Sequence, residues 1–183
     1  MSQIAISVTG LAGLACFVAF SWGVRGHFRS TGAMPRGMQL TSALSLGFAL
    51  LFFWSLAHGA GALWGGAVGL FAAGLGVFVW AVRASRQTPP TLAFDTDLPS
   101  FLLKAGPYRH VRHPFYLAYV LFWLGTALAC PGLAGWAAPV VMTALYAHAA
   151  SREERKFARS SLAADYAAYR AKAGMFWPRR LAG

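Results

Sequence analysis

The sequence predicts an all-α integral membrane protein: five transmembrane helices followed by a cytoplasmic helical tail, in one membrane domain over residues 1–183. Three observations predict it. Only 11% of residues are charged against 57% hydrophobic, with mean hydropathy +0.51, whereas a soluble domain carries about 25% charged residues. Five apolar segments approach the ~20 residues a bilayer requires. All 16 Lys and Arg fall in three regions, 25–36, 83–112 and 152 onward, as the positive-inside rule demands of loops on one side of a membrane.

The spans are expected at about 4–24, 39–57, 60–82, 115–130 and 132–150. The first lacks the basic start and cleavage site of a signal peptide. Cys130-Pro131-Gly132 is a tight turn signal, so the fourth and fifth spans should form a hairpin. With five spans the basic regions and the C-terminus lie in the cytoplasm and the N-terminus outside, as in a bacterial inner membrane. The formal charge of +11 is then mainly a topology signal, with attraction to anionic headgroups second, and no soluble domain exists to carry nucleic acid. Gly61, Gly65 and Gly69 form a strip on the third span that would let a neighbouring helix approach closely.

Cys16 and Cys130 have neither CxxC spacing nor a histidine partner and read as core residues, and no metal site is expected. His148 lies at membrane depth, where polar groups tend to face a bundle interior, and a structural hydrogen-bonding role is expected of it.

Chemistry concentrates in two clusters. In residues 106–118, Arg109, Arg112 and His113 stand beside Pro114, which suits the first turn of the fourth helix. A helix start and a guanidinium together make an anion seat, and Tyr108, Phe115, Tyr116 and Tyr119 offer flat surfaces at the same depth. The same residue types also serve as interfacial anchors. The second cluster is Ser151-Arg152-Glu153-Glu154-Arg155-Lys156, with the only glutamates of the chain. Met142, Tyr146, Ala150, Glu153 and Phe157 share a helical face, so Glu153 should point toward the bundle interior. Ser160-Ser161 can cap a further helix whose stripe of Leu162, Tyr166, Tyr169 and Ala173 would fold back over the cytoplasmic mouth. Phe176-Trp177-Pro178-Arg179-Arg180 reads as an interfacial anchor.

Gly106-Pro107-Tyr108-Arg109, then Arg112-His113-Pro114-x-Tyr116, the Glu153-Glu154 pair and the Tyr166-x-x-Tyr169…Pro178 ending resemble the isoprenylcysteine carboxyl methyltransferase and phospholipid methyltransferase superfamily of integral membrane methyltransferases. The resemblance covers about residues 101–180, and Ala118 departs from a position often held by glycine. It implies S-adenosylmethionine as cofactor, in a cytoplasm-facing pocket made by the fourth and fifth spans and the tail, and a lipophilic acceptor from the bilayer. Tyr108, Arg109, Arg112, His113, Pro114 and Tyr116 would bind the cofactor, completed by Glu153 or Glu154. An amine acceptor would need a base, for which His113, Glu153 and Glu154 are candidates. A carboxylate or thiolate would want a cation such as Arg155 or Arg109. Two other readings stay open: an NADPH-dependent sterol-type reductase, which usually has more spans, and a non-catalytic lipid-binding membrane subunit.

Overall fold

The structure, a computed structural model, describes residues 2–28, 33–59, 61, 63–90, 94, 98–130 and 132–179. Among them are six α-helices: α1 (Gln3–Trp22), α2 (Arg36–His58), α3 (Trp64–Ala84), α4 (Pro114–Ala129), α5 (Leu133–Ala158) and α6 (Ala163–Lys172). A π-helical turn at Gly23–His27 continues α1, and a 3-10 turn at Gly106–Arg109 leads toward α4. The expected Pro131 turn, the Asp95-Thr96-Asp97 stretch, Arg29, Ala60 and Arg180 lie outside the described residues.

Local chemistry accounts for the helix boundaries. Ser2 caps α1 by accepting from the Ala5 amide at 3.3 Å. Pro114 opens α4, where its missing N–H costs no hydrogen bond. Gly106 sits at φ +58, where a Cβ would also meet Ala84 at 2.7 Å, so only glycine suits the approach to the 3-10 turn. α5 runs to Ala158, about two turns beyond its apolar segment, which puts Glu153 and Glu154 on a helix emerging from the bundle.

The stretches Gln3–His27, Arg36–His58 and Trp64–Ala84 are long and apolar enough to cross a membrane. α4 is shorter, 16 residues, or about 24 Å against a hydrocarbon core of ~30 Å. Large apolar side chains such as Leu11, Val18, Leu40, Leu50 and Trp54 are exposed, the outward pattern expected of helices bathed in lipid.

α3 packs directly against α4, but not through the predicted strip. Gly65 and Gly69 are exposed, with nothing within 4 Å of where a Cβ would sit. The face of α3 turned inward carries Ala67, Phe71, Gly74, Phe78 and Ala81, and two residues' displacement along a helix is enough to point a side chain the other way. The close approach is made by Gly74, whose Cβ would lie 2.9 Å from the Ala118 carbonyl. On α4, a Cβ on Gly125 would meet the Phe71 ring at 2.6 Å. Gly61 acts through its backbone instead. Its amide donates to the Ala129 carbonyl at 2.7 Å, tying the start of the third helical segment to the end of α4.

A short helix follows α5. Ser160 Oγ accepts from the Leu162 amide at 3.1 Å, and α6 follows with Tyr166, Tyr169 and Ala173 buried against Leu102 and Phe157. Beyond α6 the chain lies alongside residues 110–113: Gly174 donates to the His110 carbonyl, Arg112 to that of Gly174 at 2.7 Å, and His113 to that of Met175 at 3.2 Å.

Candidate functional site

The entrance of α4, the end of α5 and the tail bring five side chains together. The Arg112 guanidinium donates from Nε to Glu154 Oε1 at 2.9 Å, with Nη2 2.8 Å from the same oxygen and Nη1 donating to the Ala173 carbonyl. His113 places Nε2 3.3 Å from Glu154 Oε1 and Nδ1 3.5 Å from Glu153 Oε2. The Tyr116 hydroxyl donates to Glu153 Oε1 at 2.5 Å. Arg112, His113 and Glu154 are buried, each below a tenth exposed. Burial of such charges is costly unless they are paired, and here they are paired with one another. The Tyr169 hydroxyl adds a further tie, donating to the Tyr108 carbonyl at 2.7 Å.

The electrostatics follow from this geometry. Burial opposes a charge on His113, but its hydrogen bonds and proximity to Glu153 and Glu154 prevail, raising its pKa above the usual 6.5. Burial also opposes the Glu154 charge, yet His113 and Arg112 outweigh it and hold the carboxyl down to about 2. Tyr108 has a hydroxyl that burial pushes well above its usual range.

This corrects one part of the expected anion seat, its open guanidinium. The amides of Arg112 and His113 are taken by tail carbonyls, and the guanidinium by Glu154 and Ala173. Arg112 therefore fastens the tail to α4 and α5 rather than presenting an open cation. Arg109 and Arg155 are exposed and do not line the cavity described next. His148 is also exposed, beside Phe94 at 6.3 Å between ring centroids, and does not face the bundle interior.

Behind the cluster lies a cavity of about 540 Å³, within the size range of small-molecule sites. Tyr108, Arg112, His113, Pro114, Tyr116 and Glu153 line it from the cluster side. Tyr116 stacks on His113 and, at 5.5 Å and 12°, on Tyr146. Of the expected walls, α4 and α5 line the cavity but the tail does not, since it is spent on fastening residues 110–113, and two walls not expected from the sequence take part. α1 and its π turn contribute Phe17, Phe20, Val24 and Arg25, and α2 contributes Met38, Thr41, Ser42 and Ser45. The signal available was the trio Thr41, Ser42 and Ser45, clustered in an otherwise apolar span. Arg25 was legible only as a topology charge.

The sequence profile described as phospholipid methyltransferase matches residues 62–164. The match spans α3, α4 and α5 and ends inside α6, so it begins earlier and stops earlier than the motif resemblance. It includes Arg112, His113, Glu153 and Glu154 and leaves out α1, α2 and the carbonyls at 173–175. No curated protein and no solved structure matches the chain. With more than half of its length matched, the chain belongs to the phospholipid methyltransferase family, in general class a membrane methyltransferase.

Proposed function

We propose that the cavity binds S-adenosylmethionine at its His113–Glu153 end and delivers the methyl group to a lipophilic acceptor reaching the same space from the bilayer. The observation that carries this reading is the continuity of one cavity from a buried ionic cluster to aromatic walls. The residues fit such a cofactor. Glu153, held by Tyr116, offers a carboxylate to a cationic group, and the Tyr116 ring, stacked on His113, suits a sulfonium by cation–π attraction. Arg25, the lining cation at the α1 side of the cavity, is available to a carboxylate.

The cofactor supplies an electrophilic methyl group; the protein supplies alignment and dryness. Fixing nucleophile, carbon and sulfur in line provides much of the acceleration, and charge dispersal at the transition state favours a site shielded from water. Glu154 is a poor candidate base, since its partners hold it near pKa 2, and Glu153 and His113 remain as candidates. Nitrogen, oxygen and sulfur acceptors all remain compatible. The α4–α5 hairpin completes five spans, with the clasp and tail on the cytoplasmic side of a bacterial inner membrane and the N-terminus outside.

Incubation of the purified protein with methyl-labelled S-adenosylmethionine and a lipid extract of the source cell tests the proposal. Label in a lipid-extractable product, lost in Glu153→Gln, is the expected result. Absence of any transfer by the parent protein contradicts it.

A further inference from the structure

Past the ionic cluster the cavity follows α4 inward to Trp123, nine residues and about 14 Å beyond Pro114. Its charged lining residues are Arg112, His113 and Glu153 of the cluster and Arg25 of the π turn that follows α1. Deeper in, the polar lining consists of hydroxyls. The Tyr119 hydroxyl is buried and has no hydrogen-bond partner among the described residues. Its ring lies 5.5 Å from that of Tyr146, whose hydroxyl accepts from Trp123 Nε1 at 3.0 Å. Ser45 of α2 lines the same cavity. A buried hydroxyl without a partner destabilises a fold and calls for an explanation.

We infer that Tyr119, supported by Tyr146 and Ser45, forms a hydrogen-bonding subsite for one uncharged oxygen of the acceptor, a hydroxyl or carbonyl carried within its apolar part. This rests on the cavity being the methyl-transfer site. The choice of an uncharged group follows from the surroundings: Phe20, Phe122 and Trp123 line the wall, and an ionised group placed there would be costly to desolvate. A tyrosine hydroxyl donates or accepts, so either oxygen type satisfies it. The cofactor, with its several charged groups, belongs at the ionic end, which leaves the hydroxyl end to the acceptor. A site that supplies a buried hydrogen-bonding group discriminates strongly against an analogue unable to pair with it.

Two probes of the same shape test this: 4-dodecylphenol and dodecylbenzene, which lacks the oxygen. Saturable stabilisation of the full-length protein in detergent by each probe is measured for the parent and for Tyr119→Phe, alongside binding of labelled S-adenosylmethionine. The expected result is at least tenfold tighter binding of the phenol by the parent and less than threefold preference in Tyr119→Phe, with cofactor affinity unchanged within twofold. Tyr119→Phe should also fold at least as stably as the parent, since it removes an unpaired hydroxyl. Equal affinity for the two probes in the parent, or an undiminished preference in Tyr119→Phe, overturns the subsite. Failure of the parent to bind S-adenosylmethionine overturns the methyl-transfer reading instead, and the probe comparison still decides the subsite.

Discussion

The two flanks of α4 are built to opposite ends. Toward α3 the helix is sealed: Gly74 and Gly125 let backbone and rings meet at distances no larger residue would allow. Toward α1 and α2 the packing runs through aromatic side chains, Phe20 against Tyr119 and Phe122 and Phe48 against Trp123, and leaves a cavity of about 540 Å³. One helix thus serves both as a close-packed back plate and as one wall of that cavity. At its start, Arg112 and His113 are fixed by Glu154 and by the tail carbonyls of residues 173–175. α4 is thus held close on one side while a cavity remains on the other.

The largest effect is expected at the fastening. Arg112→Ala leaves Glu154 buried without its main partner, which should cost about 3–5 kcal/mol. Replacing the pair together, Arg112→Met with Glu154→Met, should recover much of that in chemical denaturation, because no charge is left unpaired. If the single and double variants lose the same stability, the pair does not hold the tail.

The sealed flank is tested next. Gly74→Ala pushes a Cβ toward the Ala118 carbonyl and should destabilise by about 1–3 kcal/mol. Gly69→Ala, where nothing lies within 4 Å, should be neutral or stabilising by up to about 1 kcal/mol, the helix-propensity gain. Matching effects in thermal unfolding would remove the distinction between the two faces of α3.

This contrast also marks where the sequence was legible. The Arg112–His113–Pro114 cluster and the glutamate pair stood out because charges are rare in this chain and a helix-opening proline is a strong local signal. Gly74 has no such signal beside Gly65 and Gly69, because spacing reveals a stripe but not which way it faces. The α2 wall was missed for a related reason. Hydroxyl side chains in apolar helices often bond to their own backbone, as Thr41 does to the Gly37 carbonyl at 2.8 Å, so their presence alone does not announce a cavity. The tail's grip through the carbonyls of 173–175 has no side-chain signature. Arg112 was found, but its fastening role was not, since that role depends on where the tail ends up.

The clasp should also respond to pH. With its pKa raised, His113 contributes stability in full below 6.5 and loses that contribution as pH rises past its folded value. Glu154 contributes in full above 4.5 and loses it as pH falls toward 2. Amide protection of residues 163–175 should therefore peak between about 4.5 and 6.5, and His113→Asn should flatten the alkaline decline. A smaller change is expected from Tyr169→Phe, which removes the hydrogen bond to the Tyr108 carbonyl and should cost about 1 kcal/mol.

The most direct measurement is equilibrium binding of radiolabelled S-adenosylmethionine to the detergent-solubilised protein. Saturable binding at micromolar affinity or better is expected in the parent, weakened at least tenfold, roughly 1.4 kcal/mol, by His113→Ala. Absence of saturable binding, or equal affinity in His113→Ala and the parent, would contradict the assignment of the cofactor to the entrance of α4.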